Sequence, residues 1–394
     1  MTGPLEGVRV LEVASIGPGP FAAMLLADMG ADVVRVDRVR PAPHAAIRSA
    51  EAGHDVLARG RRSVAVDLKD RRGAEVVRRL VEGRDVLIEG FRPGVAERLG
   101  LGPEECLQRN PRLVYGRMTG WGQDGPWAKM AGHDINYIAV AGALYPIGPA
   151  DRPPPVPLNY VGDFGGGGML LAFGVCAALL ERERSGRGQV IDAAMVDGAA
   201  LQTAMFHGLL SMGGWTEARE ENLLDGAAPF YRTYQTADGG FIAVGALEPS
   251  FYTEMLARLG LDPTDWPQHD RTRWPALTQQ LTGVFAGRTR DDWARIFSGS
   301  DACVAPVLSL TEAPRHEQLT ARRAFVEIDG VVQPSPAPRF SRTIPSLPRS
   351  PALAGADTDA VLAEAGLSGE EIADLRRAGV IASKPLRERP EVSG

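Results

Sequence analysis

Apolar positions in the first 120 residues fall into short runs separated by longer amphipathic stretches. VRVLEV (8–13), DVVRVD (32–37), SVAVDL (63–68), DVLIEG (85–90) and LVYGRM (113–118) read as strands. Between them Phe21 to Met29 reads as a helix, and Lys69 to Glu82 as another with Val76, Val77, Leu80 and Val81 on one face. This alternation predicts a parallel sheet with helices on its faces. DRPPPVP, from Asp151, is a loop; then GDFGGGG (162–168) leads into a long apolar helix, a turn at Ser185 to Gly188 and a strand, QVIDAAM. After Gly213 the texture changes. YRTYQTADGGFIAVGAL predicts two strands about a turn at Asp238-Gly239, followed by helices over Phe251–Leu259, Trp274–Ala286 and Arg290–Ser298. The expected division is therefore an α/β domain over 1–215 and a smaller α+β domain over 216–332. A proline-rich passage, QPSPAPRFSRTIPSLPRSP, leads to two last helices, the second opening on Ser368 and Glu371 at capping-box spacing. No internal repeat is visible.

Composition narrows the function classes. A chain of 394 residues with 44% hydrophobic and 23% charged residues is an ordinary globule, and a formal charge of −6 gives no footprint for nucleic acid. Cys106, Cys176 and Cys303 lie far apart with no C-x-x-C, which argues against a disulfide framework or a thiolate metal site and suits a reducing cytoplasm. The N-terminus has no signal-peptide pattern, and the longest apolar run, Met169 to Leu180, is too short to span a bilayer, so the expected location is cytoplasmic with no membrane partner.

IGPGPFAAMLLADMGADVVRVDR (16–38) fits a relaxed dinucleotide fingerprint, with Gly17, Gly19 and Ala22 in the turn and Asp37 where a ribose-binding carboxylate would stand. Pro18 and Pro20 disturb it, because proline offers no N–H to a pyrophosphate, although Pro20 suits a first helical turn. Three other stretches, AGHDINY, NYVGDFGGGG and GALEPSFY, each set one titratable residue among apolar or glycine neighbours: His133, Asp163 and Glu248. Burial there would bring imidazole and carboxyl towards matched proton affinities. Free N–H groups at the glycine-rich start after Asp163 could hold an oxyanion. The plainer readings are a core histidine, an N-cap before Gly165 and a loop-to-helix acid before Pro249; Asp134 and Asp192 read as turn or surface acids. Arg38, Arg92 and Arg98 follow strands, and Arg59, Arg61 and Arg62 form a basic cluster; each alone reads as solvated charge, while together they suit a polyphosphate ligand.

In order along the chain, GPLEGVRVLEVASIGPGP, ADVVRVDR, VDLK, DVLIEGFRPGVAERLG, MTGWGQDGP, AGHDINY, GDFGGGG, GQVIDAAMVDG and PAPRFSRT resemble the family III CoA-transferase superfamily (CaiB/BaiF type), and most closely its α-methylacyl-CoA racemase branch. The resemblance implies coenzyme A in place of a dinucleotide. It implies that Arg38, Val66, Asp67, Leu68, Lys69, Gly90, Phe91, Arg92 and Arg98 bind the CoA nucleotide and phosphates. Gly132, Asp134, Ile135, Asn136 and Tyr137 would lie along the pantetheine and acyl group. Residues 333–394 would return to the Rossmann-like large domain, and two chains would interlock as ring-like halves of a homodimer.

Transferases of the superfamily resemble this chain at Asp163, where the carboxylate is a nucleophile. Racemases add a histidine and a glutamate, here His133 and Glu248. The resemblance thus implies an isomerase that inverts C2 of a 2-methylacyl-CoA thioester with two bases, His133 supported by Glu248 and opposed by Asp163. No cofactor or metal is implied beyond the CoA of the substrate. Met195, Met205 and Met212 are candidates for a tolerant acyl pocket. An acyl-CoA:carboxylate CoA-transferase, a noncatalytic CoA-binding protein and an oxidoreductase are the rival expectations. PAPHAAIRSAEAGHDVLARG (41–60) departs from the family's shorter connection, and the tail after Ala382 reads as a disordered polar end.

Overall fold

The computed structural model describes residues 2–40 and 54–383. Most of the altered connection, including His44, and the tail from residue 384 lie outside the described residues. Along the chain run β1 (Arg9–Val13), α1 (Pro18–Asp28), β2 (Asp32–Asp37), β3 (Arg61–Val66), α2 (Arg71–Glu82), β4 (Val86–Glu89), α3 (Val95–Arg98), α4 (Pro103–Arg109), β5 (Val114–Thr119) and α5 (Asp134–Val140). A π-helix, Tyr160–Met169, continues into α6 (Leu170–Ser185), followed by β6 (Val190–Ala194), α7 (Met195–Gln202) and α8 (Ala204–Ser211). Then come β7 (Tyr231–Gln235), β8 (Phe241–Gly245), α9 (Pro249–Leu259), α10 (Trp274–Phe285), α11 (Arg290–Phe297), β9 (Val304–Pro306) and α12 (Glu317–Ala321). The chain ends on β10 (Phe325–Ile328), β11 (Val331–Pro334), α13 (Thr358–Glu364), α14 (Gly369–Arg377) and β12 (Ile381–Ala382). It divides into two compact units. One holds residues up to Ala141, Pro157–Gln202 and the chain from Ala321; the other holds Gly142–Val156 and Thr203–Thr320.

The first unit is built on a seven-stranded sheet of order β12-β3-β2-β1-β4-β5-β6. Every pairing is parallel except β12 on β3, where the returning C-terminus covers the sheet edge through Ile381 opposite Val66. Alternation along each strand sends neighbours to opposite faces. Leu11, Val34, Leu87 and Tyr115 join the cluster with α2, α13 and α14; Val10, Val33, Val86 and Val114 join the one with α1 and α6. Strands buried on both faces explain why the sequence shows near-continuous apolar runs there. The sheet order reverses at β1 and β4, so a crevice opens past their carboxyl ends, the usual ligand position in such sheets.

Beneath the strands lies a network of buried charge. Arg59, 2% exposed, donates to Asp28 from Nε (3.0 Å) and Nη2 (2.5 Å), and to Gln333 Oε1 (3.0 Å) and the Pro334 carbonyl (2.8 Å). Arg61 Nε stands 2.7 Å from Glu12, which is wholly buried, and its guanidinium also reaches the Leu57 and Pro20 carbonyls. Asp37 accepts from Arg35 (2.9 Å) and Ser63 (2.6 Å). The basic cluster of Arg59, Arg61 and Arg62 is therefore not a polyphosphate site. Arg59 and Arg61 are internal, and Arg62 is shared by Asp32 and Glu364. Asp37 is likewise committed to its own unit instead of waiting for a ribose.

The Tyr160–Ser185 helical stretch is longer than the apolar run read from sequence, because the glycine segment is itself helical. By length and composition it could cross a membrane. Leu171, Val175, Ala178 and Leu179 nevertheless pack into the sheet core, while Phe173 and Leu180 on the other side are exposed. The second unit has a three-stranded antiparallel sheet, β7-β8-β9, with α9, α10 and α11 around an aromatic core of Phe230, Tyr234, Trp274, Phe285 and Trp293.

Truncating Arg59 strands the Asp28 carboxylate in the interior. Arg59→Ala is expected to cost about 3–5 kcal/mol in a urea titration, and Arg59→Met with Asp28→Ala to recover much of that loss. A single-variant loss under about 1 kcal/mol would contradict the burial of this pair.

Candidate active site

Gly17 is the N-cap of α1, with φ +74°, a left-handed conformation that favours glycine, and Pro18 takes the first helical position. A β-carbon on Gly17 would lie 3.2 Å from Asp163 Oδ2, so the turn after β1 runs directly against the Asp163 carboxylate. One on Gly90, just past β4, would lie 3.0 Å from Ser15. The fingerprint-like turn thus lies at the crevice where the sheet order reverses, with a carboxylate beside it.

Asp163 does not cap a helix. The helix begins at Tyr160 as a π-helix with Asn159 at its N-cap, so Asp163 sits within the first turn. In this geometry each N–H from Phe164 onward is taken by the carbonyl five residues back, as in the 3.2 Å bond from Phe164 to Asn159. The glycine N–H groups after Asp163 are therefore not available as oxyanion donors. The Gly162 and Asp163 N–H groups are also occupied: both donate to Asp134 Oδ2, at 2.7 and 2.6 Å. Asn159 Nδ2 donates to Asp163 Oδ2 at 3.3 Å.

His133 is the exposed N-cap of α5, and its N–H donates to Asn136 Oδ1 at 3.0 Å. It lies within electrostatic reach of Asp163. Burial pushes the Asp163 carboxyl above its ordinary range and the Asp134 charge adds to the rise, while Asn159 and His133 oppose it. Tyr137 is 6% exposed. Its ring occupies the space that β-carbons on Gly120 and Gly132 would fill, and it meets Trp121 edge-on at 4.8 Å. Burial, followed by the Asp163 charge, pushes its hydroxyl up to about 12, and Arg92 is near enough to oppose that shift.

The remaining residues sort by orientation. Arg38, Lys69 and Arg92 are exposed just past β2, β3 and β4, at the carboxyl edge of the sheet, and Arg98 is exposed on α3. Gly90 is exposed and Phe91 half-buried there; the Phe91 N–H donates to Glu89 at 2.6 Å. Asp67 accepts from the Lys69 N–H at 3.0 Å, and Leu68 packs on the core. Val66 is 1% exposed, with its side chain in the core, so only its backbone could meet a ligand. Asp134 is 5% exposed and turned inward, which corrects its reading as a turn or surface acid and leaves only its backbone to meet a pantetheine; Ile135 and Asn136 are exposed. Met195 is core, and Met205 and Met212 are exposed on the second unit. Glu248 belongs to that unit as the exposed N-cap of α9 before Pro249, making no side-chain cap bond. Among the described residues no three His, Cys, Asp or Glu side chains gather as a metal set.

Sequence reasoning missed the inward turn of Asp134, because its partners are N–H groups of the π-helix 28 and 29 positions away, which no local pattern marks. It also missed Asn159, for which no local pattern exists. Together the arrangement sets an imidazole and a carboxyl of raised proton affinity in one electrostatic environment, as proton transfer near neutral pH needs.

The fold and this site define the class. The family model for CoA-transferase family III matches residues 5–358, and the chain belongs to that family. Among curated relatives, alpha-methylacyl-CoA racemase of Mus musculus is 48% identical over 97% of this chain and 99% of its own length, and that of Homo sapiens 45% identical over the same shares. Succinyl-CoA:glutarate CoA-transferase of Mus musculus is 30% identical over 92% of this chain and 86% of its own. A solved CAIB/BAIF family protein from Brucella suis superposes with a TM-score of 0.79 at 27% identity, over 93% of this chain and 100% of that one.

In carbon-13 spectra assigned by difference against Asp163→Asn, the Asp163 carboxyl is expected to titrate above the usual carboxylate range. His133→Gln removes a group that opposes the rise and should move it higher. A titration in or below the usual range would contradict the burial.

Proposed function

We propose that this protein is an α-methylacyl-CoA racemase, inverting C2 of 2-methyl-branched acyl-CoA thioesters by proton transfer through an enolate. The observation that carries the reading is a half-buried Asp163, its carboxyl pushed up by burial, within electrostatic reach of His133, in a chain 48% identical over nearly its full length to a protein of that name. The thioester carbonyl acidifies the hydrogen on C2. One of the two groups removes that proton, the second supplies a proton to the opposite face, and each leaves the cycle in the state its partner started from. Glu248 supports His133 in this proposal.

Arg38, Lys69, Arg92 and Arg98 would hold the CoA phosphates, with backbone from Val66 to Lys69 and from Gly90 to Phe91 beside the nucleotide. Their position past the ends of β2, β3 and β4 supports this, since anions collect at that edge of an α/β sheet. Gly132, Ile135, Asn136 and Tyr137 would line the pantetheine path. The chemistry proposed uses no cofactor beyond the CoA of the substrate. We also propose an interlocked homodimer without membrane association. Met169, Phe173 and Leu180 form an exposed apolar stripe along one helix face, which supports burial against a second copy. The cytoplasm is the compartment proposed, supported by three free cysteines.

A single-enantiomer 2-methylacyl-CoA in D2O without acceptor acid is expected to gain deuterium at C2 as it racemises. His133→Ala and Asp163→Ala should each lower the rate about 10²–10⁴-fold. Full racemisation by either variant would overturn the two-base assignment. Absence of exchange, with CoA moving to an added carboxylate, would instead identify a transferase using Asp163 as nucleophile.

A further inference from the structure

Asp134 is the buried charge that the proposed proton transfers leave unused. Its Oδ2 accepts from two consecutive N–H groups, those of Gly162 and Asp163, at 2.7 and 2.6 Å. Its Oδ1 is buried with no hydrogen-bond partner among the described residues. The carboxylate therefore meets the start of the π-helix, where the first N–H groups have no helical acceptor and the helix dipole favours a negative charge. Gly162 permits the approach, since a β-carbon there would stand 2.8 Å from Asp134 Oδ2. Asp134 also directly follows His133 in the chain. A single peptide unit and two short hydrogen bonds thus connect the backbone of one proposed base to that of the other.

We propose that Asp134 is a positioning residue that fixes the Asp163 carboxylate in place relative to His133 by anchoring the first turn of the π-helix. The proposal rests on the reading of Asp163 as a base of the racemisation. It has a second consequence, because the anchor is itself an anion. Asp134 and His133, both from the α5 segment, are the charged groups acting on Asp163. Of the other elements packed on the π-helix, α1 and α7 meet it through uncharged groups, Gly17, Pro18 and Phe21 from the α1 segment and Met195, Gly198, Ala199 and Gln202 from α7, and none of Asp197 of α7, Arg117 of β5 and Asp192 of β6 is among the charges acting on Asp163. Tyr137, also of α5, is within electrostatic reach of Asp163 and of Arg92. Removing the Asp134 charge must lower the proton affinity of Asp163, whereas moving it by one methylene must mainly disturb position.

The test is the pH dependence of deuterium exchange at C2 for the full-length protein, Asp134→Asn, Asp134→Glu and, as a reference, Asp163→Asn. Asparagine keeps an acceptor oxygen for the two N–H groups. Asp134→Asn is expected to keep kcat within about tenfold while the acid limb of kcat/KM, set by the lower proton affinity of the pair, moves down by about one pH unit. Asp134→Glu keeps the charge, so its acid limb should stay in place while kcat falls about 10²-fold with KM little changed. A structural role alone would lower the amount of active protein without separating these two readouts. A profile of Asp134→Asn superimposable on wild type, or wild-type kcat in Asp134→Glu, would overturn the proposal. If Asp134→Asn does not fold, the split between kcat and KM in Asp134→Glu decides. Racemisation retained at the wild-type rate by Asp163→Asn would instead refute the underlying assignment of Asp163, whatever the Asp134 variants do, whereas exchange with retention of configuration would not, since His133 alone can exchange the proton on its own face.

Discussion

The π-helix can pack where it does only because its inner face carries no β-carbons. One on Gly166 would come within 2.7 Å of the Ala199 nitrogen, and one on Gly168 within 2.8 Å of the Pro18 carbonyl. Backbone thus lies against backbone on α7 and on the start of α1. That close approach presses Asp163 against Gly17 and delivers its N–H groups to Asp134. Any side chain in the run would lift the segment off the sheet and carry the carboxylate with it. The wide π turn has a further effect, since it takes the N–H groups from Phe164 onward for itself and leaves the carboxylate as the functional group of that turn.

Charge is divided between two jobs, exposed positions past the strand ends and paired positions in the interior, the latter including Asp37 at the end of β2. Arginines past the carboxyl ends of the strands, Arg38 and Arg92, stay exposed in the zone where α/β sheets take ligands. Arginines at and before the start of β3, Arg59 and Arg61, are drawn inside and matched by Asp28 and Glu12. Burying such charges is tolerable only with a near-complete set of partners, which Arg59 obtains from α1 and from the returning C-terminal segment together. The network is therefore also one of the ties, beside the pairing of β12 on β3, between that return and the N-terminal half of the unit.

Much of the fold was legible from residue order because it depends on local periodicity. The six strands of the parallel run were each found within a residue or two of their observed ends, and the Ser368–Glu371 capping box is present. The deviations have physical causes. Helix α1 begins at Pro18 instead of Phe21, because proline is suited to a first turn. Strand β3 begins at Arg61 instead of Ser63, because Arg61 and Arg62 pair in register with Val33 and Val34, which charge at the strand start concealed. Helix α5 and the short strand β12 were not predicted, being too brief for a period to show.

The sequence by itself determined the alternating elements and the family, and it marked His133 and Asp163 as candidates, because apolar spacing, caps and motif order are properties of neighbours along the chain. The tertiary structure alone decided which charges work inside and which face a ligand. Arg59 meets Asp28 across 31 positions and Gln333 across 274, and Asp134 meets Asp163 across 29. Nothing in the composition around Arg59 distinguishes it from Arg38, and nothing around Asp134 marks it as an anchor. The distinction arises when folding removes water from one set and supplies it with partners, and a carboxylate or guanidinium acquires its role from those partners.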